Sequence, residues 1–323
     1  MTRFLFGMML ALQLFTAAVH AQDLGKTRIA TWKDDKKGAF MLMFDDCCPS
    51  HVNNVYPALK EKNMTGTFYV VVNKGERKAK AAFWEEQAPK EPFMVYGNHT
   101  VNHNGFKDVE NADQELLGCN EFIYKYCAGK NPRLLSYATP GGVPIKISKD
   151  ELKTLLTKYN LVERPTFNGH GGAIHQKTSD EVLKLADKAI SSGTAEYIIF
   201  HGVGGDWIPF DLAQFQLLVD GLDAKKTDLW IADHISVHQY EKERAATTVT
   251  VAAADARKIQ LTLKCSEDAA FYDLPLTFVT TAPANWTRCQ VVQGDKKQVV
   301  DVKAGSVMFN ALPNGSVTLT PAS

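Results

Sequence analysis

Ala39-Phe40-Met41-Leu42-Met43-Phe44 is an uninterrupted apolar run that ends on two adjacent carboxylates, Asp45 and Asp46, and an amphipathic stretch over 51–62 follows it. The run reads as a buried strand and the stretch after it as a helix. The same alternation recurs as far as about Tyr240. Strands are expected over 67–72, 93–96, 197–200 and 229–232, and helices over 112–127, 149–159, 179–191 and 211–223. Ser148 and Ser179, each just ahead of acidic residues, supply helix start signals. Strands alternating with helices argue for βα units around a mostly parallel sheet or barrel, an α/β fold.

Beyond Tyr240 the texture changes. Glu241 to Arg244 reads as a charged joint, and helical periodicity is gone from Thr247 onward. The runs at 248–251, 260–263, 299–302 and 316–319 alternate or are β-branched, with Gly294-Asp295 and Asn314-Gly315 as turns between them. A small all-β, sandwich-like C-terminal domain of about eighty residues is expected there. Trp286 alone does not decide whether that module binds sugar, packs against the barrel or mediates oligomers.

The 323 residues carry 36 Lys+Arg against 36 Asp+Glu and are 45% hydrophobic. That composition excludes a disordered or low-complexity chain, and the balanced charge leaves no basic footprint for nucleic acid. Arg3 precedes an apolar run over 4–19, and Val19-His20-Ala21 presents small residues at the positions a signal peptidase reads. Residues 1–21 are therefore expected to be a cleaved signal peptide rather than a retained anchor, which needs about 20 apolar residues. The protein is expected to be secreted or periplasmic, without a stable membrane anchor. The domain division expected is 1–21 signal, 22–243 barrel and 244–323 β domain.

All six cysteines lie beyond the signal, and an oxidising destination permits disulfides. Cys265 and Cys289 are the expected pair. Cys119 and Cys127 are left to pair with each other or with Cys47 and Cys48, and a thiolate metal site at Cys47 and Cys48 is the alternative, although no Cys-x-x-Cys occurs.

Three polar clusters sit at the ends of expected strands: Phe44-Asp45-Asp46, His99-Thr100-Val101-Asn102-His103, and Phe200-His201-Gly202. Taken singly, adjacent aspartates often cap a helix and paired histidines are often surface residues. Together, one aspartate and two histidines make a three-ligand set that leaves a zinc position open for water. Neighbouring strand residues point to opposite faces, so Asp45 and Asp46 do not face each other across a substrate as a glycosidase pair does, ~5 Å or more apart. One reaching a metal and the other a water suits metal-assisted hydrolysis.

These three elements, in this order, resemble the polysaccharide deacetylase family with the NodB homology domain, carbohydrate esterase family 4, over roughly 38–240. The resemblance implies a distorted (β/α) barrel of NodB type and removal of acetyl groups from N- or O-acetylated poly- or oligosaccharides. It implies Asp46, His99 and His103 as ligands of a divalent metal, commonly zinc, with Co²⁺, Ni²⁺ or Mn²⁺ as alternatives. Asp45 matches the general base and His201 the general acid, and backbone N–H groups near Pro140, Gly141 and Gly142 are expected to receive oxyanion charge. Trp207 is a candidate wall for a sugar ring; His170 and His175 read as loop residues. Two departures stand out. Where the family carries an arginine that orients the base, this sequence has Ala138, and the aspartate–tryptophan motif expected before the last histidine is not recognisable; Asp206-Trp207 follows His201 instead. They leave open a catalytically weakened carbohydrate-binding barrel, or an amidohydrolase acting on a non-sugar amide.

Overall fold

The computed structural model describes residues 23–167 and 173–322, which divide into two compact units. One is Lys36–His238; the other joins the described part of Met1–Asp35 to Gln239–Ser323. The expected signal segment and His170 lie outside the described residues. No helix among the described residues is long and apolar enough to cross a membrane.

The first unit is built on parallel strands: β2 (Gly38–Asp45), β3 (Gly66–Val70), β4 (Met94–Asn98), β5 (Leu135–Tyr137), β6 (Leu161–Glu163), β7 (Ala195–Phe200) and β8 (Leu229–Ile231). Their order is β6-β5-β4-β3-β2-β7, with β8 also on β2. The first residues of β2 pair with β8 and the last four with β3, while β7 runs along six of its residues. Every residue of β2 is buried, as expected of a parallel strand covered on both faces. Phe44 is stacked between Phe68 and Phe200, at 4.8 and 5.4 Å between ring centroids. The result is the distorted α/β barrel of the sequence reading. Three of its strands, β5, β6 and β8, have only three residues; β8 is expected from its apolar run, whereas β5 and β6, each with a polar residue among the three, leave no such signal.

The connecting helices are Tyr56–Lys62, Val109–Tyr126, Lys149–Lys158, Ser179–Ser192 and Leu212–Ala224. Two of them open on reciprocal capping boxes, Ser148 with Glu151 and Thr178 with Glu181. Thr178, rather than Ser179, is thus the cap of its helix. Glu241–Arg244 is not a joint: it falls within the helix His234–Ala246, where the division between the units also falls.

The second unit is all β: β1 (Thr27–Ile29), β9 (Thr247–Ala254), β10 (Ile259–Cys265), β11 (Leu276–Thr281), β12 (Arg288–Gln293), β13 (Lys296–Lys303), β14 (Ser306–Ala311) and β15 (Gly315–Pro321). They form an antiparallel sheet in the order β1-β11-β14-β13-β12-β15-β10-β9. Trp286 is buried and its indole N–H donates to the Ala256 carbonyl at 3.0 Å, so it is core and offers no open ring to a ligand.

All six cysteines are free, which corrects the expected disulfides. β15 stands between β10 and β12, putting Cys265 and Cys289 two strands apart, about 9.6 Å at ordinary strand spacing and beyond the ~7 Å Cα limit of a disulfide. Cys289 also sits opposite Pro321, whereas Cys265 lies beyond the Gly315 end of β15.

Two histidines are buried as structural members of the first unit. His51 donates through Nε2 to the His201 carbonyl at 2.5 Å, and His234 meets Ser136 Oγ through Nδ1 at 2.7 Å. Burial pushes His51 from the ordinary 6.5 down to about 4 and His234 to about 3. The unfolded chain therefore takes up these protons first as pH falls, so stability present above about 6.5 is lost on the way down to about 4. The melting temperature of the metal-free protein is expected to fall across that window. A flat profile from pH 7 to 4.5 would contradict the assignment of both rings as neutral.

Candidate metal centre and active site

The carboxyl ends of β2, β4, β6 and β7 deliver Asp45 and Asp46, His99, Arg164 and His201 to one place, the end of a parallel sheet where reacting groups gather. His103 joins them from the loop after β4. That loop is held by hydrogen bonds: Asn98 Oδ1 accepts from the Thr100 N–H at 2.9 Å, Thr100 Oγ1 from the His103 N–H at 3.0 Å, and buried Glu115 from the backbone and side chain of Asn102. Asp46, Cys47, Thr100 and His103 all have positive φ, of 78°, 54°, 68° and 56°. Left-handed backbone at non-glycine residues is strained, and here it gathers at the site.

The donor atoms of Asp46, His99 and His103 lie within 4.8 Å of one another. His99 Nδ1 sits 2.8 Å from the Ala138 carbonyl, which only an N–H can satisfy, so the ring's lone pair is on Nε2. That lone pair faces Asp46 Oδ1 at 3.8 Å, and His103 Nε2 faces the same oxygen at 3.7 Å. Asp46 Oδ1 is buried and has no hydrogen-bond partner. Acceptors turned toward one another with nothing donating between them are costly, and a divalent cation relieves them; the donor set fits one. Burial pushes His99 down to about 4, so it is neutral near pH 7. Burial opposes the charge on Asp46, but His99, Lys74, His103 and His201 outweigh it and hold that carboxyl below its usual range. Lys74 Nζ lies 3.1 Å from Asp46 Oδ2.

Asp45 has its two oxygens in different states. Oδ2 accepts from Arg164 Nη2 at 2.6 Å, whereas Oδ1 has no partner. His201 Nε2 is 3.9 Å from both Asp45 Oδ2 and Asp46 Oδ2. The ring of Phe167 meets His201 edge-on at 5.0 Å, and His201 Nδ1 has no partner among the described residues. Asp206 does not supply one; its Oδ2 accepts the Ser50 N–H at 2.7 Å. Cys47 and Cys48 are buried thiols; burial pushes Cys47 up to about 12 and Cys48 higher still, so neither offers a thiolate to a metal.

A cavity of about 470 Å³ opens over these groups, lined also by Pro140, Gly141, Gly142, Phe167 and Trp207. Trp207 is 67% exposed at its rim. The loop carrying it is tied by the Gly202 N–H to the Trp207 carbonyl and the Phe210 N–H to the Gly202 carbonyl. Gly202 is required in that loop, since a Cβ there would come within 1.9 Å of the Gly205 carbonyl oxygen. His175 lies exposed and away from the cavity. Sequence reasoning missed Arg164: its partner is 119 residues away, and the only available signal was a basic residue just after the short run Leu161-Val162-Glu163.

Residues 33–160 match the model of the polysaccharide deacetylase family, a span that holds Asp45, Asp46, His99 and His103. The chain carries a polysaccharide deacetylase domain. The match stops short of Arg164 and His201. The chain is also 23% identical over 338 residues to a gellan lyase from Bacillus sp, covering 93% of this chain but only 13% of that much longer relative. Among solved structures, a family 4 carbohydrate esterase from Streptomyces lividans in complex with acetate is 16% identical, with 60% of this chain and 92% of the other covered and a TM-score of 0.43. A CE4 family pseudoenzyme from Bacillus anthracis is 16% identical, with coverages of 63% and 66% and a TM-score of 0.44.

The donor set of the deacetylase domain predicts that Asp46→Ala or His99→Ala abolishes zinc binding in calorimetry. Lys74→Met, which removes a like charge beside the set, is expected to tighten zinc binding about tenfold. Unchanged affinity in that variant would mean that the Lys74 ammonium swings clear when the ion enters.

Proposed function

We propose that this protein is a secreted, metal-dependent carbohydrate deacetylase that hydrolyses N- or O-linked acetyl groups of a poly- or oligosaccharide. Asp46, His99 and His103 would hold the metal, with zinc the proposed ion and Co²⁺, Ni²⁺ or Mn²⁺ suited to the same donors. Bound there, it supplies Lewis-acid polarisation of the acetyl carbonyl and lowers the pKa of water. The observation that carries the reading is the unpartnered Asp46 Oδ1 with His99 Nε2 3.8 Å from it, beside a second carboxylate whose Oδ1 is free.

Asp45 Oδ1 takes the proton of the attacking water, and His201 Nε2 delivers a proton to the departing amine or alkoxide. Backbone N–H groups at Pro140-Gly141-Gly142 are the proposed recipients of developing oxyanion charge, except at Pro140, which has none to offer. Trp207 at the cavity rim is the proposed stacking face for a sugar ring. A cavity of about 470 Å³ suits one or two sugar units rather than a long enclosed chain. Export rests on the expected signal at 1–21.

A second reading, a carbohydrate-binding barrel without turnover, draws on the unpartnered Nδ1 of His201. Acetate release from acetylated chitin, peptidoglycan, xylan and algal glycans, measured with and without chelator, separates the two. Release that chelator abolishes supports the deacetylase, whereas zinc binding with no acetate from any glycan supports the binding barrel. Within the first outcome, Asp45→Asn is expected to retain zinc and lose about a hundredfold or more in turnover. Unchanged turnover would move the base elsewhere.

A further inference from the structure

The second unit buries a carboxyl group with like charges, rather than a cation, beside it. Glu243, on the helix His234–Ala246, is fully buried. Its Oε1 accepts the Leu274 N–H at 2.9 Å, and its Oε2 has no hydrogen-bond partner. The charged groups that bear on it from the facing segment 266–274 are Asp273 and Glu267, both acidic. Tyr272 of that segment is near as well: burial first, then Glu267 and Glu243, push its phenol up. From β10, Cys265 Sγ reaches only the Glu243 carbonyl, at 3.9 Å, which also accepts from the Thr247 hydroxyl at 2.5 Å. Arg244, the next residue on the helix, has its guanidinium against the Trp32 ring, 5.8 Å from the centroid.

An ionised carboxylate in that place forfeits its hydration and gains one N–H in return, which does not offset burial beside two like charges. Burial, with Asp273 and Glu267 adding to it, pushes Glu243 from the ordinary 4.5 up to about 7, against the pull of the Leu274 N–H. The segment over it has no regular secondary structure, and Asp268, Ala269, Ala270 and Asp273 are exposed. It is tied to the helix by the Leu274 N–H, by the Gln239 side-chain amide donating to the Phe271 carbonyl at 2.6 Å, and by the Ser266 N–H on the Ala246 carbonyl at 3.2 Å. A segment so lightly held opens at low cost. We propose that Glu243 is a proton-operated latch: protonated, it keeps the 266–274 segment closed on the helix; ionised, with its proton passed to water, it draws water in and the segment opens. Because the closed form holds the proton more tightly, the stabilisation is complete below 4.5 and is lost as pH rises through about 7. That direction is opposite to the one set by His51 and His234 in the first unit.

The test is hydrogen exchange at the Phe271, Tyr272 and Leu274 amides of the full chain, at about pH 6 and about pH 8.5, corrected for the intrinsic exchange rate and run beside Glu243→Gln. In the wild type, protection of these amides is expected to fall about tenfold over that interval, as follows for a carboxyl that titrates near 7 when closed and near 4.5 when open. In Glu243→Gln, which cannot ionise, protection is expected to stay within about twofold. Wild-type protection that is equal at the two pH values, or an equal fall in the glutamine variant, would overturn the proposal. Should Glu243→Gln not accumulate as folded protein, Glu243→Met, neutral and of similar length, takes its place, and a flat wild-type profile is decisive against the latch without either variant.

Discussion

Two adjacent carboxylates buried at the end of one strand are the constraint around which this molecule is arranged. Neither Asp45 nor Asp46 has water enough to solvate it, and burying an uncompensated charge is prohibitive. The chain separates them by turning into left-handed backbone at Asp46 and Cys47, so that the two side chains face different partners. Asp45 meets a guanidinium from β6; Asp46 meets two imidazoles from the segment after β4 and the ammonium of Lys74. Each compensation is incomplete by one oxygen, since Oδ1 of both residues has no partner. Those two oxygens are the atoms the proposed chemistry needs.

The supporting structure is organised to keep that incompleteness stable. His51, fully buried between Phe44 and Phe68, holds the carbonyl of His201, and Ala138 gives its carbonyl to His99 although its side chain does nothing for the base. Asn98 and Glu115 brace the strained His99–His103 segment against the helix Val109–Tyr126. Strain of this sort persists only where neighbouring contacts over-determine it. The clustering of four left-handed residues around one donor set is thus consistent with a site that is shaped before any ligand arrives.

Much of the first unit was legible in the chain. The β2 run and the amphipathic segments after it are long and periodic, and the three polar clusters lie within a few residues of strands that leave a clear apolar signal. β5 and β6 escaped because Ser136 and Glu163 interrupt their three-residue runs, so that each takes its identity from its neighbours rather than from a pattern of its own. The helix His234–Ala246 looked like a charged joint because four consecutive charged residues, Glu241 to Arg244, break its apolar stripe, although Glu243 among them is buried. The disulfides were expected from the cysteines and the anticipated compartment, but strand order decided otherwise, since it placed β15 between the two sulfurs.

The sequence by itself determined the α/β character of the first unit, the β character of the second, and the residue types available to a metal: those follow from local periodicity and from side-chain chemistry. Only the tertiary structure decided which groups meet. The tautomer of His99 depends on a carbonyl 39 residues away, and the partner of Asp45 on an arginine 119 residues away. No local pattern encodes such pairings. They arise when strands of a parallel sheet align in register and bring distant chain segments, Ala138 and Arg164 among them, to the same edge.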